Sequence, residues 1–245
     1  MEVNRIYNED CLKTMSRMTD GSVDLIVTSP PYNKNFYASA SGDGKSWGAL
    51  RGRQIAYDTY SDAMEPEAYA DWQKRVLKEC LRILKPTGSI FYNHKDILSD
   101  GVVIHPTWVY DFAVHQIIIW NRGSSLANDP HYFQPITEYI YWIAKSPKEM
   151  YFDKSRATFR QNVWNINFEI GTEHPAPFPK TLAGNVIQAC CPRGGVCYDP
   201  FMGSGTTAVM AMEFGCDYIG SEISAEYCAF AEKRIGVKEA QPSLF

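Results

Sequence analysis

The sequence predicts an α/β fold with a mostly parallel sheet, helices on both faces and one antiparallel strand near an edge. Three observations carry that expectation. Apolar runs suited to buried strands, such as Val23–Thr28 and Val196–Asp199, alternate with helical patterns. A glycine-rich turn, Gly203-Ser204-Gly205, joins a strand to a helix start. The connection 121–136 between two strand-like runs is short, which suggests an antiparallel pair at one sheet edge. At 245 residues the chain can bury a sizeable core, and one domain over 1–245 is the simplest count.

Taken in order, Arg5–Asn8 is a short strand and a helix covers about 11–18, with Asp20-Gly21 as the turn into Val23–Thr28. That strand must stop at Pro30-Pro31, because two prolines donate no backbone hydrogen bonds. Residues 33–60 hold Gly42, Gly44, Gly48 and Gly52 with little periodicity and read as a mobile lid over substrate. Pro66 suits the first turn of a helix to about Leu84, whose Tyr69, Trp72, Val76, Cys80 and Ile83 form a core stripe. Lys85-Pro86-Thr87-Gly88 ends that helix, and Ser89–His94 reads as the next strand. A short helix near 106–114, strands Gln116–Trp120 and Thr137–Ala144, and an unpatterned stretch 145–173 follow. Helix 181–191, the strand before the glycine turn, helix 206–214, strand Tyr218–Glu222 and helix 224–235 complete the chain.

Two segments carry chemistry. Ser29-Pro30-Pro31-Tyr32 is a rigid corner offering a hydroxyl, proline carbonyls and an aromatic ring. Those groups can accept hydrogen bonds from an NH₂ group and stack on a planar base, although a Pro-Pro after a strand can be only a loop. Gly203, Gly205 and Ala208 match G-x-G-x-x-G/A, where glycines allow a tight turn and close ligand approach, and the following helix opens with free N–H groups. Glu222, ending the next strand, suits two ribose hydroxyls.

The net charge of −4 weighs against non-specific coating of nucleic acid but permits a local basic surface. Lys34, Lys45, Arg51 and Arg53 cluster in one loop, and Lys145, Lys148, Lys154, Arg156 and Arg160 in another. Of these, Lys34, Arg51, Arg53, Lys154, Arg156 and Arg160 are the candidate phosphate contacts. Seven cysteines without a C-x-x-C pair, and five scattered histidines, argue for buried thiols and no metal. No apolar run spans a membrane and the N-terminus lacks a signal pattern, so an intracellular protein is expected.

Together the motifs resemble the amino-methyltransferases that act on exocyclic NH₂ groups of DNA bases. Ser29-Pro30-Pro31-Tyr32 resembles their catalytic motif, and Asp199-Pro200-Phe201-Met202-Gly203-Ser204-Gly205-Thr206 their S-adenosylmethionine motif. The order, catalytic motif first, looks like the permuted β class. His174-Pro175-Ala176-Pro177-Phe178-Pro179 is similar to that class's cofactor segment. The resemblance implies a Rossmann-like methyltransferase fold, S-adenosylmethionine as cofactor and double-stranded DNA as partner. It allows a homodimer and a cognate restriction endonuclease acting on the same site. By resemblance, Ser29 and the Pro30 carbonyl accept the two amino hydrogens and Tyr32 stacks on a flipped base. Asp199 lies near the methionine amino group. Pro200, Phe201, Gly203, Ser204, Gly205 and Thr206 line the cofactor. Asp10 meets the adenine amino group, or simply caps the first helix. Asp199 has the same alternative, as a cap on the glycine turn. The 145–173 stretch stands where the family has its target-recognition region, and strand 5–8 would complete the sheet beside the last strand, bringing the termini close.

A serine at the first motif position resembles cytosine-N4 enzymes, with adenine N6 as the alternative target. An NAD-dependent oxidoreductase would share the glycine pattern but leaves Ser29–Tyr32 unexplained. A non-catalytic DNA-binding module leaves both motifs unused.

Overall fold

The computed structural model describes residues 1–33, 63–99, 101–125, 131–167 and 178–239. His174, Pro175, Lys34, Arg51, Arg53 and the body of the expected 33–60 lid lie outside them. In chain order the elements are β1 (Arg5–Tyr7), α1 (Cys11–Ser16), β2 (Val23–Thr28), α2 (Pro66–Ile83) and β3 (Leu84–His94). Next come β4 (Ile97–Ser99), β5 (Val102–Ile104), β6 (Val114–Asn121), β7 (Thr137–Ala144) and β8 (Val163–Asn165). The last are α3 (Lys180–Cys190), β9 (Val196–Asp199), α4 (Thr206–Glu213), β10 (Asp217–Ser221) and α5 (Ala225–Glu239).

The main sheet has the order β1-β10-β9-β2-β3-β7-β6-β8. Only β7 runs against its neighbours, pairing antiparallel with β3 and β6. β2 is buried along its whole length, as a parallel strand covered on both faces must be. On one face, Tyr69, Trp72, Val76, Leu77 and Ile83 of α2 pack with Met15, Ile26 and Ile90. On the other, Leu182, Val186, Val209 and Ala231 of α3, α4 and α5 pack with Leu25, Val27 and Phe91.

The short N-terminal strand closes the sheet as the permuted order requires. Arg5 lies opposite Ile219 in a parallel pair of β1 with β10, and the Glu222 amide donates to Tyr7 O. From β9 the chain winds through α4 to β10, and from β2 it winds the other way through α2 to β3. The boundary between β9 and β2 is therefore the topological switch point, where doubly wound sheets hold ligands beyond the strand ends.

The structure differs from expectation in four elements. The helix ends before Lys85–Gly88 as expected, but β3 begins at an extended Leu84 rather than at Ser89. Pro86 is tolerated there because the β2 ladder skips from Leu84 to Ser89 and the β7 ladder begins only at Ser89. The helix expected at 106–114 is a single 3₁₀ turn, Thr107–Asp111. The unpatterned 145–173 stretch contributes a short edge strand, β8, parallel to β6. A β4–β5 hairpin was also unforeseen. Among the described residues no helix is long and apolar enough to cross a membrane.

Candidate active site

Ser29–Tyr32 leaves β2 at the carboxyl end of the parallel strands, beside the ends of β3 and β9. The strand halts there because neither proline can extend a ladder. Ser29 is half-buried, and its Oγ lies 2.7 Å from the Tyr32 hydroxyl. Asn93, near the end of β3, donates its Nδ2 to the Tyr32 hydroxyl at 2.7 Å and to Glu138 Oε2 at 2.9 Å, with a longer approach of 3.4 Å to Ser29 Oγ. The Tyr32 hydroxyl donates to the same Glu138 oxygen at 3.3 Å. Arg122 pairs with the other carboxylate oxygen at 3.3 Å and donates to Pro135 O. Burial, with the Glu138 charge beside it, holds the Tyr32 phenol well above its usual range.

The proline carbonyls differ in their use. Pro31 O accepts the Tyr69 hydroxyl at 2.6 Å, whereas Pro30 O has no donor among the described residues. Tyr69 in turn accepts Gln73 Nε2 at 2.9 Å and contacts His94 Nε2. Tyr69 therefore belongs to the support of the corner as well as to the core stripe. The Tyr32 ring is buried, with its centroid 4.7 Å from that of His94. Just beyond the corner, Asn33 adopts a left-handed φ of 56° and exchanges two 2.7 Å bonds with the Met64 backbone. The two stems of the segment between them are thus tied together.

Across the switch point, Thr28 at the end of β2 donates to Asp199 Oδ1 at the end of β9. Asp199 also accepts Thr207 Oγ1 at 2.7 Å and the Phe201 amide at 3.0 Å. Its carboxylate therefore organises the glycine turn, and burial raises its pKa to about 6. Pro200 is buried behind it, and Phe201 packs against Trp72 at 5.6 Å. Gly203 and Gly205 hold φ of 51° and 79°. A Cβ on Gly205 would lie 2.8 Å from Ala231 Cβ, so the packing of α5 already demands this glycine. Ser204 is buried and accepts Arg234 from the same helix, while Thr206 opens α4 without a side-chain cap.

Glu222 accepts the Gly203 amide at 2.8 Å and the Ser224 amide at 2.9 Å, and burial raises its pKa. Asn8, just after β1, clamps the Glu222 and Ile223 carbonyls. The carboxylate keeps lone pairs for two hydroxyl groups, and the uncapped N–H groups of α4 lie close by. These residues fit a nucleoside cofactor. Asp10 accepts the Leu12 amide at 2.8 Å, which is the helix-cap alternative. Phe178 packs edge-on against Trp120.

The second basic cluster lies away from the corner. β7 runs downward, so residue 145 emerges at the end of the sheet opposite the corner. Lys145 there donates to Leu84 O, and the Tyr151 amide to Thr87 O. Lys154 and Arg156 follow at that lower end, where Arg156 turns inward to Tyr151 and the Cys191 carbonyl. Arg160 lies on the flank beside α3, next to a Phe159 amide that donates to Asn185. None of the three shares a surface with Ser29. Residues 121–125 and 131–136 do, since Asn121 and Thr137 pair at the catalytic end, and they include the fully exposed Phe133. Also unforeseen, the buried thiols of Cys191, Cys197 and Cys216 gather within 4.8 Å of one another. Hydrogen bonds from Cys191 and Cys197 push the Cys216 thiol down.

Asn93, Arg122 and Glu138 are the functional candidates that sequence reasoning missed. The available signals were the polar pair Asn93-His94 closing an apolar strand, and one charge inside Thr137–Ala144.

Comparison with known proteins agrees with this geometry. The family model described as DNA methylase, of N6/N4 methyltransferases, matches residues 23–233. The type II methyltransferase M.BglII of Bacillus subtilis is 27% identical over 267 residues, covering 94% of this chain and 68% of that protein. Among solved structures, the cytosine-N4-specific PvuII DNA methyltransferase superposes with a TM-score of 0.75 at 20% identity, covering 96% and 86% of the two chains. A putative DNA modification methylase from Thermus thermophilus, solved in complex with S-adenosyl-L-methionine, gives 0.69 at 22% identity, covering 98% and 97%. At these identities the structural likenesses speak for the fold alone.

Proposed function

This chain belongs to the DNA methylase family of N6/N4 methyltransferases, and from that premise we propose that it methylates N4 of cytosine in duplex DNA. At the coarser level it is an S-adenosylmethionine-dependent DNA amino-methyltransferase. The observation that carries the amino-transfer chemistry is the pair of acceptors at the corner, and the serine that supplies one of them carries the choice of cytosine. Ser29 Oγ keeps a lone pair without a partner among the described residues, and the Pro30 carbonyl beside it is free of them where Pro31 is occupied. An exocyclic NH₂ is a poor nucleophile because its lone pair delocalises into the ring. Two acceptors for its hydrogens turn that lone pair out of the ring plane toward the methyl group.

The bound cofactor supplies an electrophilic sulfonium methyl. Glu222 is the ribose ligand, with its own backbone held by Asn8 and Tyr7. Asp199 acts by holding Thr28, Thr207 and Phe201 in register. By the resemblance, Asp10, Phe178, Ser204 and Thr206 are further candidate contacts for the cofactor. Positioning is the main contribution of the protein to the rate. The target must leave the stack to reach a corner set at the strand ends, so the base is flipped. Tyr32 then flanks it, with its hydroxyl held in place.

Serine as the first motif residue favours cytosine over adenine. DNA lies over the strand ends, against residues 121–125 and 131–136, with Phe133 available to stack. Exposed Leu98, Val102 and Val103 on the β4–β5 hairpin support a second copy as partner. The type II name of M.BglII supports an endonuclease acting at the same site. The test is mass spectrometry of nucleosides from DNA methylated by the purified protein. N4-methylcytosine is expected, and N6-methyladenine in its place would overturn the cytosine reading.

A further inference from the structure

Serine poses a problem for the proposed chemistry. Its hydroxyl can donate as well as accept, and a hydroxyl hydrogen aimed at the target amino group would repel it. We propose that Glu138 solves this by setting the direction of the hydrogen bonds that end at Ser29. The inference rests on reading Ser29 as an amino-hydrogen acceptor.

An ionised carboxylate can only accept. The Tyr32 hydroxyl, 3.3 Å from Glu138 Oε2, can bond that oxygen only as the donor, and the negative charge draws its hydrogen there. The Tyr32 oxygen is then left to accept: Asn93 Nδ2 donates to it at 2.7 Å, and in the proposed direction so does Ser29 Oγ, also at 2.7 Å. The serine hydrogen is thereby drawn away from the substrate side, and a Ser29 lone pair faces the incoming amino group. Asn93 is oriented by the same charge. With its amide reversed, Oδ1 would face the carboxylate, and the observed orientation holds even though it leaves Oδ1 buried and unpartnered among the described residues. Arg122 compensates the buried charge at Oε1.

Both oxygens of Glu138 thus serve donors: Arg122 on one side, Tyr32 and Asn93 on the other. A glutamine cannot satisfy both. With its oxygen toward Arg122, its NH₂ would donate to Tyr32, reverse the chain and push the Ser29 hydrogen toward the substrate. Glu138 is in this sense a positioning residue. It is remote in sequence and acts on the reacting group through one phenol.

The experiment is single-turnover methylation of duplex DNA at saturating S-adenosylmethionine and DNA, with binding of each measured separately. Glu138→Gln and Tyr32→Phe should each slow methyl transfer by about 10- to 100-fold, with cofactor and DNA affinities near wild type. In a Ser29→Ala background, Glu138→Gln should slow the reaction no further, because there is no hydroxyl left to orient. A wild-type rate in Glu138→Gln, or an undiminished effect of that change on top of Ser29→Ala, overturns the proposal. Should Glu138→Gln lose cofactor binding through misfolding, Tyr32→Phe in the same double-mutant cycle decides instead. A wild-type rate in Ser29→Ala alone would overturn the acceptor reading of Ser29, a result distinct from additivity between the two sites.

Discussion

Two buried carboxylates, Asp24 and Glu138, stand at opposite ends of the sheet and are built alike. Each lies inside a strand, each pairs with one cation and each accepts further donors. Asp24 binds Lys85 Nζ through both oxygens at 2.9 and 2.8 Å and takes the Val196 amide at 2.8 Å. Its partners belong to β3 and β9, so it ties three strands together where they begin. Glu138 pairs with Arg122, but its other donors, Tyr32 and Asn93, lead to a serine with an open lone pair. The same chemistry is structural where every partner is backbone or an ordinary side chain. It becomes functional where the chain of bonds ends at an unfilled acceptor. What separates the two is the far end of the network.

Changes at each end test this division, and the largest effect should come from a residue that blurs it. Gly205 stands at the catalytic end, yet its left-handed φ and the nearby Ala231 give it a packing role. Gly205→Val should destabilise the protein by roughly 2–5 kcal/mol, combining backbone strain with overpacking. Chemical denaturation measures this, and a variant as stable as wild type would return Gly205 to a purely ligand-facing role.

Asp24→Ala comes next. Losing it orphans the Val196 amide and frees Lys85, which is partly exposed, at a cost of about 1–3 kcal/mol. The methylation rate per folded molecule should stay at the wild-type level. Glu138→Gln should show the opposite pattern, with rate lost and stability largely kept. Equal loss of rate in both variants would dissolve the distinction.

Asp199 gives a smaller, pH-dependent effect. Burial raises its pKa to about 6 from an ordinary 3.8. Between those values the folded protein holds a proton that the unfolded chain has released. This group therefore lowers stability as pH rises from about 4 to about 6. The melting temperature of wild type relative to Asp199→Asn should fall across that window. Parallel curves for the two proteins would show that the carboxylate is not strained by burial.

The smallest effect is expected where the sequence alone suggested a large one. Replacing Lys154 and Arg160 with alanine should leave the salt dependence of DNA binding unchanged, because neither lies near the corner. A loss of about 0.9 in the logarithmic salt slope per residue would restore their phosphate role.

The sequence by itself determined the parts whose constraints are local. Two prolines end β2 whatever surrounds them, and the glycine turn with its following helix is readable from spacing. Those contiguous motifs fixed the order of elements, the position of the corner and the family. The single antiparallel strand followed from the short connection before it, and the completing N-terminal strand from the motif order that resembles the permuted class. Tertiary structure alone decided which end of the sheet each loop occupies, and so set Lys154, Arg156 and Arg160 away from the corner. It also supplied Asn93, Arg122 and Glu138. Asn93 and Glu138 lie 45 residues apart in the chain, and Tyr32 and Glu138 lie 106 apart. No local spacing records such a meeting. A lone glutamate in an apolar strand acquires a role only when packing excludes water and folding brings its hydrogen-bond partners within reach.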